Sequence, residues 1–223
     1  MRGRYSLDDP VAQGTTVPCP NDVHEAPVLS AVKGDNADLF AEVAKLWITP
    51  DDMVADVTAG ERVFWQKVPR EITGQVYFSD LADDETDCRE LPYDSESLSV
   101  VVLDPPYQPI HDNKWRGGTR GYYNLTIDSM QEVLDLYEAS VNEAARVLAP
   151  GGRLIVKCQD MSFNHRLHLA HLDVLKFMTK AGLDLADMFV LLNTARMPQP
   201  ARAVRQERAR RAHSYFLVGV KAG

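Results

Sequence analysis

Short apolar segments alternate with segments of helical periodicity along most of the chain. Apolar, β-branched and aromatic residues predict strands at 53–57, 75–79, 97–103, 153–158, 188–192 and 213–221. Apolar residues at helical spacing predict helices at 39–47, 63–68, 130–148 and 168–181. Because strands that alternate with helices pair in parallel, this order predicts an α/β domain of three layers with a mostly parallel sheet. The last two strands have no helix between them, which predicts an antiparallel C-terminal hairpin at one edge.

The chain divides into an N-terminal arm and one domain. Residues 1–34 show no sustained periodicity, which predicts an irregular arm. From residue 35 to 223 the pattern is that of a single domain. Its first helix has Asp35 or Asn36 as a cap, and its long helix has Thr126 or Asp128.

Several classes of protein are disfavoured by what the sequence contains. No run approaches the roughly 18 consecutive apolar residues that a membrane span requires. The N-terminus has no apolar segment of a secretory signal, so we expect a cytoplasmic protein. The three cysteines lie far apart without C-x-x-C spacing, which favours neither a disulfide framework nor a thiolate metal site. His165, His168 and His171 would spread over a wide arc of a helix, and we expect no metal.

The charge distribution is uneven. The net charge of −8, taken as a whole, would repel nucleic acid. Between residues 196 and 211, however, six arginines accompany a single acid, Glu207. Such a stretch either contacts phosphate or forms a solvated loop. The residues predicted to contact nucleic acid are Arg202, Arg205, Arg208, Arg210 and Arg211.

Chemistry-bearing residues follow three of the predicted strands, and in open α/β sheets ligands bind outside the carboxyl ends of the strands. Asp56 ends the first strand, Asp80 follows the second, and the segment 104–107 (D-P-P-Y) follows the third. The first turn lacks the G-x-G-x-x-G pattern of a dinucleotide site. Asp56 would repel a pyrophosphate but hold an ammonium group, which favours a cationic, amino-acid-bearing cofactor over NAD.

The segments VADVTAGERVFW (54–65) and VVVLDPPY (100–107) together resemble the two principal motifs of S-adenosylmethionine-dependent amino-methyltransferases, particularly the N6-adenine and N4-cytosine DNA methylases. The resemblance covers most of residues 24–221. The segment RQxxARRxHSYFLV (205–218) is similar to the end of small phage or bacterial methylases. The resemblance implies that residues 35–223 form a Rossmann-like methyltransferase domain with S-adenosyl-L-methionine as its cofactor.

The resemblance also implies which residues hold the cofactor. Asp56, with Thr58 and Gly60 in the same turn, would contact the methionine end. Asp80 would accept hydrogen bonds from the ribose hydroxyls. Asp87 is a further candidate, for the adenine amino group.

The D-P-P-Y segment would carry the catalytic residues. The Asp104 carboxylate and the Pro105 carbonyl would accept hydrogen bonds from the exocyclic amino group of the target base, which localises the lone pair of its nitrogen. Pro105 and Pro106 would hold the backbone in a rigid turn with the carbonyl pointing outward. Tyr107 would stack on the base.

The resemblance points to N6 of adenine in DNA, with N4 of cytosine as the second target. Two alternatives remain open. One is an RNA base amino-methyltransferase, because D-P-P-Y-like motifs also occur in such enzymes. The other is a non-catalytic nucleic-acid-binding protein, because Arg62 stands where the family has a second glycine and a bulky side chain there could crowd the cofactor.

Lys157, Gln159 and Asp160 either approach the target or cap the next turn.

Overall fold

The computed structural model describes residues 27–110, 126–193 and 209–223. The strands in these ranges are β1 (Ala31–Gly34), β2 (Val54–Asp56), β3 (Val76–Phe78), β4 (Leu98–Leu103), β5 (Leu148–Cys158), β6 (Met161–Phe163), β7 (Arg166–His168), β8 (Leu183–Asn193) and β9 (His213–Lys221). The helices are α1 (Asn36–Trp47), a 3-10 helix (Val63–Lys67), α2 (Arg70–Thr73), α3 (Met130–Val147) and α4 (Ala170–Lys180).

The main sheet has the strand order β1-β8-β9-β5-β4-β2-β3. β9 runs antiparallel to both of its neighbours, and the other pairs are parallel. The predicted α/β architecture, with a mostly parallel sheet and an antiparallel C-terminal hairpin, is confirmed. The structure adds β1, which pairs with β8 outside the hairpin.

β1 corrects the boundary of the predicted arm. Residues 31–34 belong to the sheet, because their backbone pairs with that of β8. Nothing in the pattern of these four residues predicts a strand. Residues 1–26 of the predicted arm lie outside the described residues.

Two apolar clusters cover the two faces of the sheet. Successive side chains of a strand point to opposite faces, and β4 contributes to both clusters. Val101 and Leu103 pack in the cluster of α3 and α4. Val100 and Val102 pack in the cluster that contains α1 and the 3-10 helix. The three predicted layers are therefore α1 with the 3-10 helix, the sheet, and α3 with α4.

The helices α1 and α3 each begin at a capping residue. Asp35 caps α1 as expected: its Oδ1 accepts from the N–H of Asp38 at 2.9 Å, and its own N–H donates to the Asp38 carboxylate at 3.0 Å. For α3 the predicted caps at 126 and 128 are wrong. Ser129 is the cap, because its hydroxyl accepts from the N–H of Glu132 at 3.2 Å.

The three spaced histidines do not share a helix. Asn164 and His165 both have positive φ and form the tight turn of the β6–β7 hairpin, whereas His168 lies in β7 and His171 in α4. In the part of the chain that the structure describes, no three or more His, Cys, Asp or Glu side chains are arranged to hold a metal ion. None of the described helices combines the length and apolarity needed to cross a membrane.

Candidate active site

The carboxyl ends of β2, β3 and β4 meet at one edge of the sheet. β2 lies between the other two strands, and the backbone ladder continues past its last residue. The N–H of Val57 donates to the Val102 carbonyl at 3.2 Å, and the N–H of Ser79 donates to the Asp56 carbonyl at 2.9 Å. The turns that follow the three strands therefore begin side by side.

An open cleft of about 190 Å³ lies between these turns. The sequence-predicted residues that line it are Asp56, Thr58, Gly60, Asp80 and Asp104. A second, smaller cavity of about 40 Å³ shares Thr58 and Asp80 with the first and is lined by Asp87, Pro105 and Pro106 as well. The predicted cofactor and catalytic residues, except Tyr107, therefore line two adjoining pockets.

Asp56 is a buried carboxylate with two donors. Its Oδ2 accepts from Nε1 of Trp65 at 2.7 Å, and its Oδ1 accepts from the N–H of Thr58 at 3.2 Å. Burial nevertheless raises the pKa of Asp56 to about 7, against the lowering effect of both hydrogen bonds. The charges of Asp104 and Asp80 raise it further. A cation in the cleft would favour the ionised form of Asp56.

The turn after β2 is tied to the turn after β3. Gly60 has a φ of 46°, a left-handed conformation that favours glycine, and its N–H donates to Oδ2 of Asp80 at 3.2 Å. Oδ1 of Asp80 accepts from the N–H of Ala82 at 2.9 Å. Burial raises the pKa of Asp80, and these two hydrogen bonds oppose the rise. Each oxygen keeps a further lone pair for a ligand.

Asp104 lies on the opposite wall of the same cleft. Its N–H donates to Oγ1 of Thr58 at 2.7 Å, whereas its side-chain Oδ1 is buried and has no hydrogen-bond partner among the described residues. Burial raises the pKa of Asp104, and the charge of Lys157 opposes the rise. A buried acceptor without a protein partner therefore belongs to a residue in the wall of the cleft, where a ligand donor would satisfy it.

Pro105 and Tyr107 belong to the same D-P-P-Y segment as Asp104, and the Pro105 carbonyl is oriented differently from the expectation. The Pro105 carbonyl, predicted to point outward, accepts from the hydroxyl of Tyr137 at 3.2 Å. The same hydroxyl lies closer, at 2.9 Å, to the Lys157 carbonyl, so its one proton is shared between the two carbonyls and the Pro105 oxygen keeps a lone pair. The half-buried Tyr107 lies near Asp104, and burial, together with that charge, raises the pKa of Tyr107 to about 12.

Asp87 is engaged by a neighbour. Both of its carboxylate oxygens accept from the Arg89 guanidinium, the shortest contact being 2.6 Å. This pairing lowers the pKa of Asp87. Asp87 therefore remains a charged residue in the wall of the second cavity. Only the lone pairs that Arg89 does not use are available for an adenine amino group.

Arg62 does not line the cleft. It is exposed, and its guanidinium carbon lies 4.4 Å from the ring centroid of Phe78. Its φ of 57° is left-handed, which accounts for a glycine being suited to this position. The crowding anticipated from the sequence does not arise, because the side chain stacks on Phe78 instead.

Of the predicted nucleic-acid contacts, Arg210 and Arg211 are described, whereas Arg202, Arg205 and Arg208 lie outside the described residues. Both described arginines come immediately before β9. Because Tyr215 of β9 pairs with Cys158 of β5, this end of β9 lies at the same edge of the sheet as the end of β4. Arg210 is exposed and Arg211 is half-buried.

Three site residues escaped the sequence analysis or were left unassigned. Trp65 is the donor to Asp56, and Asn36 lines the cleft from the start of α1. Nζ of Lys157 donates to Oδ1 of Asn36 at 3.0 Å. For Lys157, the sequence did contain a signal, namely a lysine inside the predicted apolar strand 153–158.

Asp160, also left unassigned, belongs to a separate network. Its Oδ1 lies 2.7 Å from Nδ1 of His171, and its Oδ2 accepts from the hydroxyl of Tyr215 at 3.2 Å. These contacts join α4 and β9 to the end of β5. Asp160 therefore has partners inside the protein, whereas Oδ1 of Asp104 has none among the residues that the structure describes.

No protein-family model matches this chain. No curated protein matches it either. Its fold is similar to that of a protein from Thermus thermophilus assigned as a DNA modification methylase and bound to S-adenosyl-L-methionine, with 20% identity over 76% of this chain and 56% of the other, at a TM-score of 0.44. The cytosine-N4-specific PvuII DNA methyltransferase gives 22% identity over 61% of this chain and 47% of the other, at a TM-score of 0.46.

A SAM-dependent methyltransferase from Methanosarcina mazei gives 9% identity over 81% of this chain and 97% of the other, at a TM-score of 0.47. This chain thus spans about half the length of the two DNA methylases. Because these TM-scores lie below 0.5, the function has to be inferred from the chain's own residues.

Proposed function

We propose that this protein is an S-adenosylmethionine-dependent methyltransferase that modifies the exocyclic amino group of a nucleic-acid base, namely N6 of adenine in DNA. The observation that carries the proposal is that Asp56 and Asp104, 48 positions apart in the sequence, line one cleft, where Oδ1 of Asp104 is buried and unpartnered among the described residues.

The residues of the cleft fit the proposed cofactor. Asp56, Asp80 and Asp104 give it an acidic lining, which suits a ligand with a sulfonium and an ammonium group. Gly60 lets the backbone approach such a ligand closely. S-adenosyl-L-methionine, when bound, supplies an activated methyl group. Asp56 would hold the ammonium group, and Asp80 would accept from the ribose hydroxyls.

Asp104 would act on the target base. An exocyclic amino nitrogen is a poor nucleophile, because its lone pair is delocalised into the ring. Hydrogen bonds from its two N–H groups to Oδ1 of Asp104 and to the remaining lone pair of the Pro105 carbonyl would localise that pair on the nitrogen. The methylated nitrogen then loses its proton readily to solvent, so a strong general base is not required.

The base must reach this site outside a duplex. Flipping costs a few kcal/mol, and stacking on Tyr107 would return about 1–3 kcal/mol of it. Arg210 and Arg211, at the same edge of the sheet, are suited to contact the phosphates of the strand. This placement favours a nucleic-acid substrate over a small molecule.

Methyl transfer from isotopically labelled S-adenosyl-L-methionine tests the proposal. Purified protein is incubated with duplex DNA, single-stranded DNA or tRNA, and the digested nucleosides are identified by mass spectrometry. We expect labelled N6-methyldeoxyadenosine, and none with Asp104→Ala. Label in N4-methyldeoxycytidine would change the target base, and label in RNA alone would exclude DNA as the substrate.

Calorimetry with the cofactor separates the non-catalytic alternative. We expect binding of S-adenosyl-L-methionine by the wild type, because Arg62 leaves the cleft open. Absence of binding at millimolar ligand, together with retained DNA binding, would contradict the enzymatic proposal.

A further inference from the structure

Lys157 is a buried lysine, 3% exposed, near the end of β5. Its Nζ donates to Oδ1 of Asn36, and it lies 5.4 Å and 5.5 Å from the ring centroids of Phe64 and Phe216. An amide oxygen and two ring faces stabilise an ammonium only in part, since none of them carries a full charge. A buried ammonium in these surroundings needs a compensating anion.

Asp104 is the carboxylate that the sheet places beside Lys157. Leu103 of β4 pairs with Val156 of β5, so the residues that follow them, Asp104 and Lys157, are neighbours on parallel strands about 4.8 Å apart. Leu103 and Val156 both pack on the α3 side of the sheet. The next residue of each strand therefore points to the α1 side, where Lys157 contacts Asn36.

The two groups do not form a direct hydrogen bond, which matters for what Asp104 can do. The ammonium is bonded to Asn36, while Oδ1 of Asp104 keeps its acceptor capacity. A positive charge close to a carboxylate, but not bonded to it, stabilises the anion without occupying its lone pairs. A protonated Asp104 would be a poor acceptor for an amino group, so its ionised state is the useful one.

We propose that Lys157 is a positioning residue of the site: held by Asn36 and the two aromatic rings, its charge favours the ionised form of the neighbouring Asp104 while leaving Oδ1 of that carboxylate free to accept from the substrate's amino group. The proposal rests on the proposed function and deepens it. Burial raises the pKa of Asp104 overall, and the charge of Lys157 limits that rise.

The other ionisable groups around Asp104 do not supply this charge. Asp56, Glu61 and Asp80, which line the same cleft, and Tyr107, in the same loop as Asp104, are the titratable groups around it, whereas Cys158, next to Lys157, packs on the opposite face of the sheet. Each is neutral or negative. Among the described residues, Lys157 is therefore the source of positive charge at this carboxylate.

Titration of the Asp104 carboxyl carbon in protein free of cofactor tests this directly. The protein carries ¹³C-labelled aspartate, and the Asp104 signal is assigned with Asp104→Asn. We expect Lys157→Met to move the midpoint of Asp104 to higher pH, and Lys157→Arg to leave it near the wild-type value. Lys176→Met, which removes an exposed lysine from α4, is the matched control.

A second variant, Asn36→Asp, tests the proposal in case Lys157→Met does not fold. Asn36→Asp places a carboxylate at the first position of α1, where an acid suits the helix. This carboxylate would pair with Lys157 and raise the Asp104 midpoint in the same direction. An unchanged midpoint in a folded Lys157→Met or Asn36→Asp protein would overturn the proposal.

The pH dependence of methyl transfer at saturating cofactor gives the functional readout. The acid limb of kcat/KM should move to higher pH in Lys157→Met by the same amount as the carboxyl midpoint, and below that midpoint activity should fall about tenfold for each step of one in pH. A uniform loss at every pH would assign Lys157 a merely structural role. A wild type that transfers no methyl group would overturn the proposed function, whereas the carboxyl titration would still decide whether Lys157 controls the charge of Asp104.

Discussion

The main-chain N–H of Asp104 donates to Oγ1 of Thr58 at 2.7 Å. This single bond joins the turn after β2 to the loop after β4, and the N–H of Thr58 in turn donates to the Asp56 carboxylate. The two acids that the sequence places in separate motifs are therefore linked through one threonine. Their spacing across the cleft is fixed by backbone and hydroxyl groups rather than by long, flexible side chains.

Thr58→Val should disturb this link while keeping the volume of the side chain. The N–H of Asp104 would lose its acceptor, at a cost of about 1–3 kcal/mol if no water replaces it. We expect a lower free energy of unfolding in urea and a larger fall in kcat than in cofactor affinity. Thr58→Ser, which keeps the hydroxyl, is the control and should behave close to the wild type.

The raised pKa of Asp56 predicts a pH-dependent affinity for the cofactor. Below a pKa of about 7 the free protein carries a neutral Asp56, and above it a carboxylate. A cationic ligand binds the carboxylate better, so affinity should rise with pH, by about tenfold between pH 6 and pH 8. Calorimetry in buffers of different ionisation enthalpy would detect proton release at pH 6. Asp56→Asn should lose this dependence, which separates it from titration of the ligand's own ammonium group.

Trp65→Phe should move that dependence to higher pH. The indole N–H lowers the pKa of Asp56, and its removal leaves burial less opposed. The midpoint of cofactor affinity against pH should therefore lie above that of the wild type. Trp47→Phe removes an indole that bonds to Asp187 instead, and its midpoint should be unchanged. Equal effects of the two substitutions would contradict the assigned role of Trp65.

The strands with a run of apolar or aromatic residues were predictable from the sequence, including β2 and β3 with three residues each, and the strands without such a run were not. β4 and β5 are apolar over most of their length because both of their faces are covered, so composition alone reveals them. β1 (AVKG), β6 (MSF) and β7 (RLH) mix polar residues with single apolar ones and show no such run. They form because neighbouring backbone offers hydrogen bonds, which is a tertiary effect.

The same distinction holds for the candidate site. Asp56, Gly60 and Asp104 lie at or directly after the ends of strands, so the rule that ligands bind at the carboxyl ends of strands places them together. The contact of Asn36 with Lys157 joins residues 121 positions apart and depends on how α1 packs on the sheet. No local pattern encodes that packing, and the buried lysine therefore became interpretable only in three dimensions.

Asp104→Ala should separate cofactor binding from transfer. Asp56, Gly60 and Asp80 keep their backbone partners in this variant, and the N–H of residue 104 still donates to Thr58. We expect the affinity for S-adenosyl-L-methionine to change by less than about threefold, whereas transfer to DNA falls below detection. Retained turnover would remove Asp104 from the catalytic assignment.

Arg210 and Arg211 should account for part of the salt dependence of DNA binding. Each phosphate contact contributes about 0.9 to the slope of log K against log salt, so replacing both arginines by glutamine should flatten the slope by about two units. Fluorescence anisotropy with a labelled duplex between about 50 and 200 mM salt measures it. The matched control replaces Arg70 of α2 and Lys45 of α1, both exposed, and should leave the slope unchanged. A slope that is equal in wild type and in the Arg210→Gln, Arg211→Gln protein would show that these two arginines contact no phosphate.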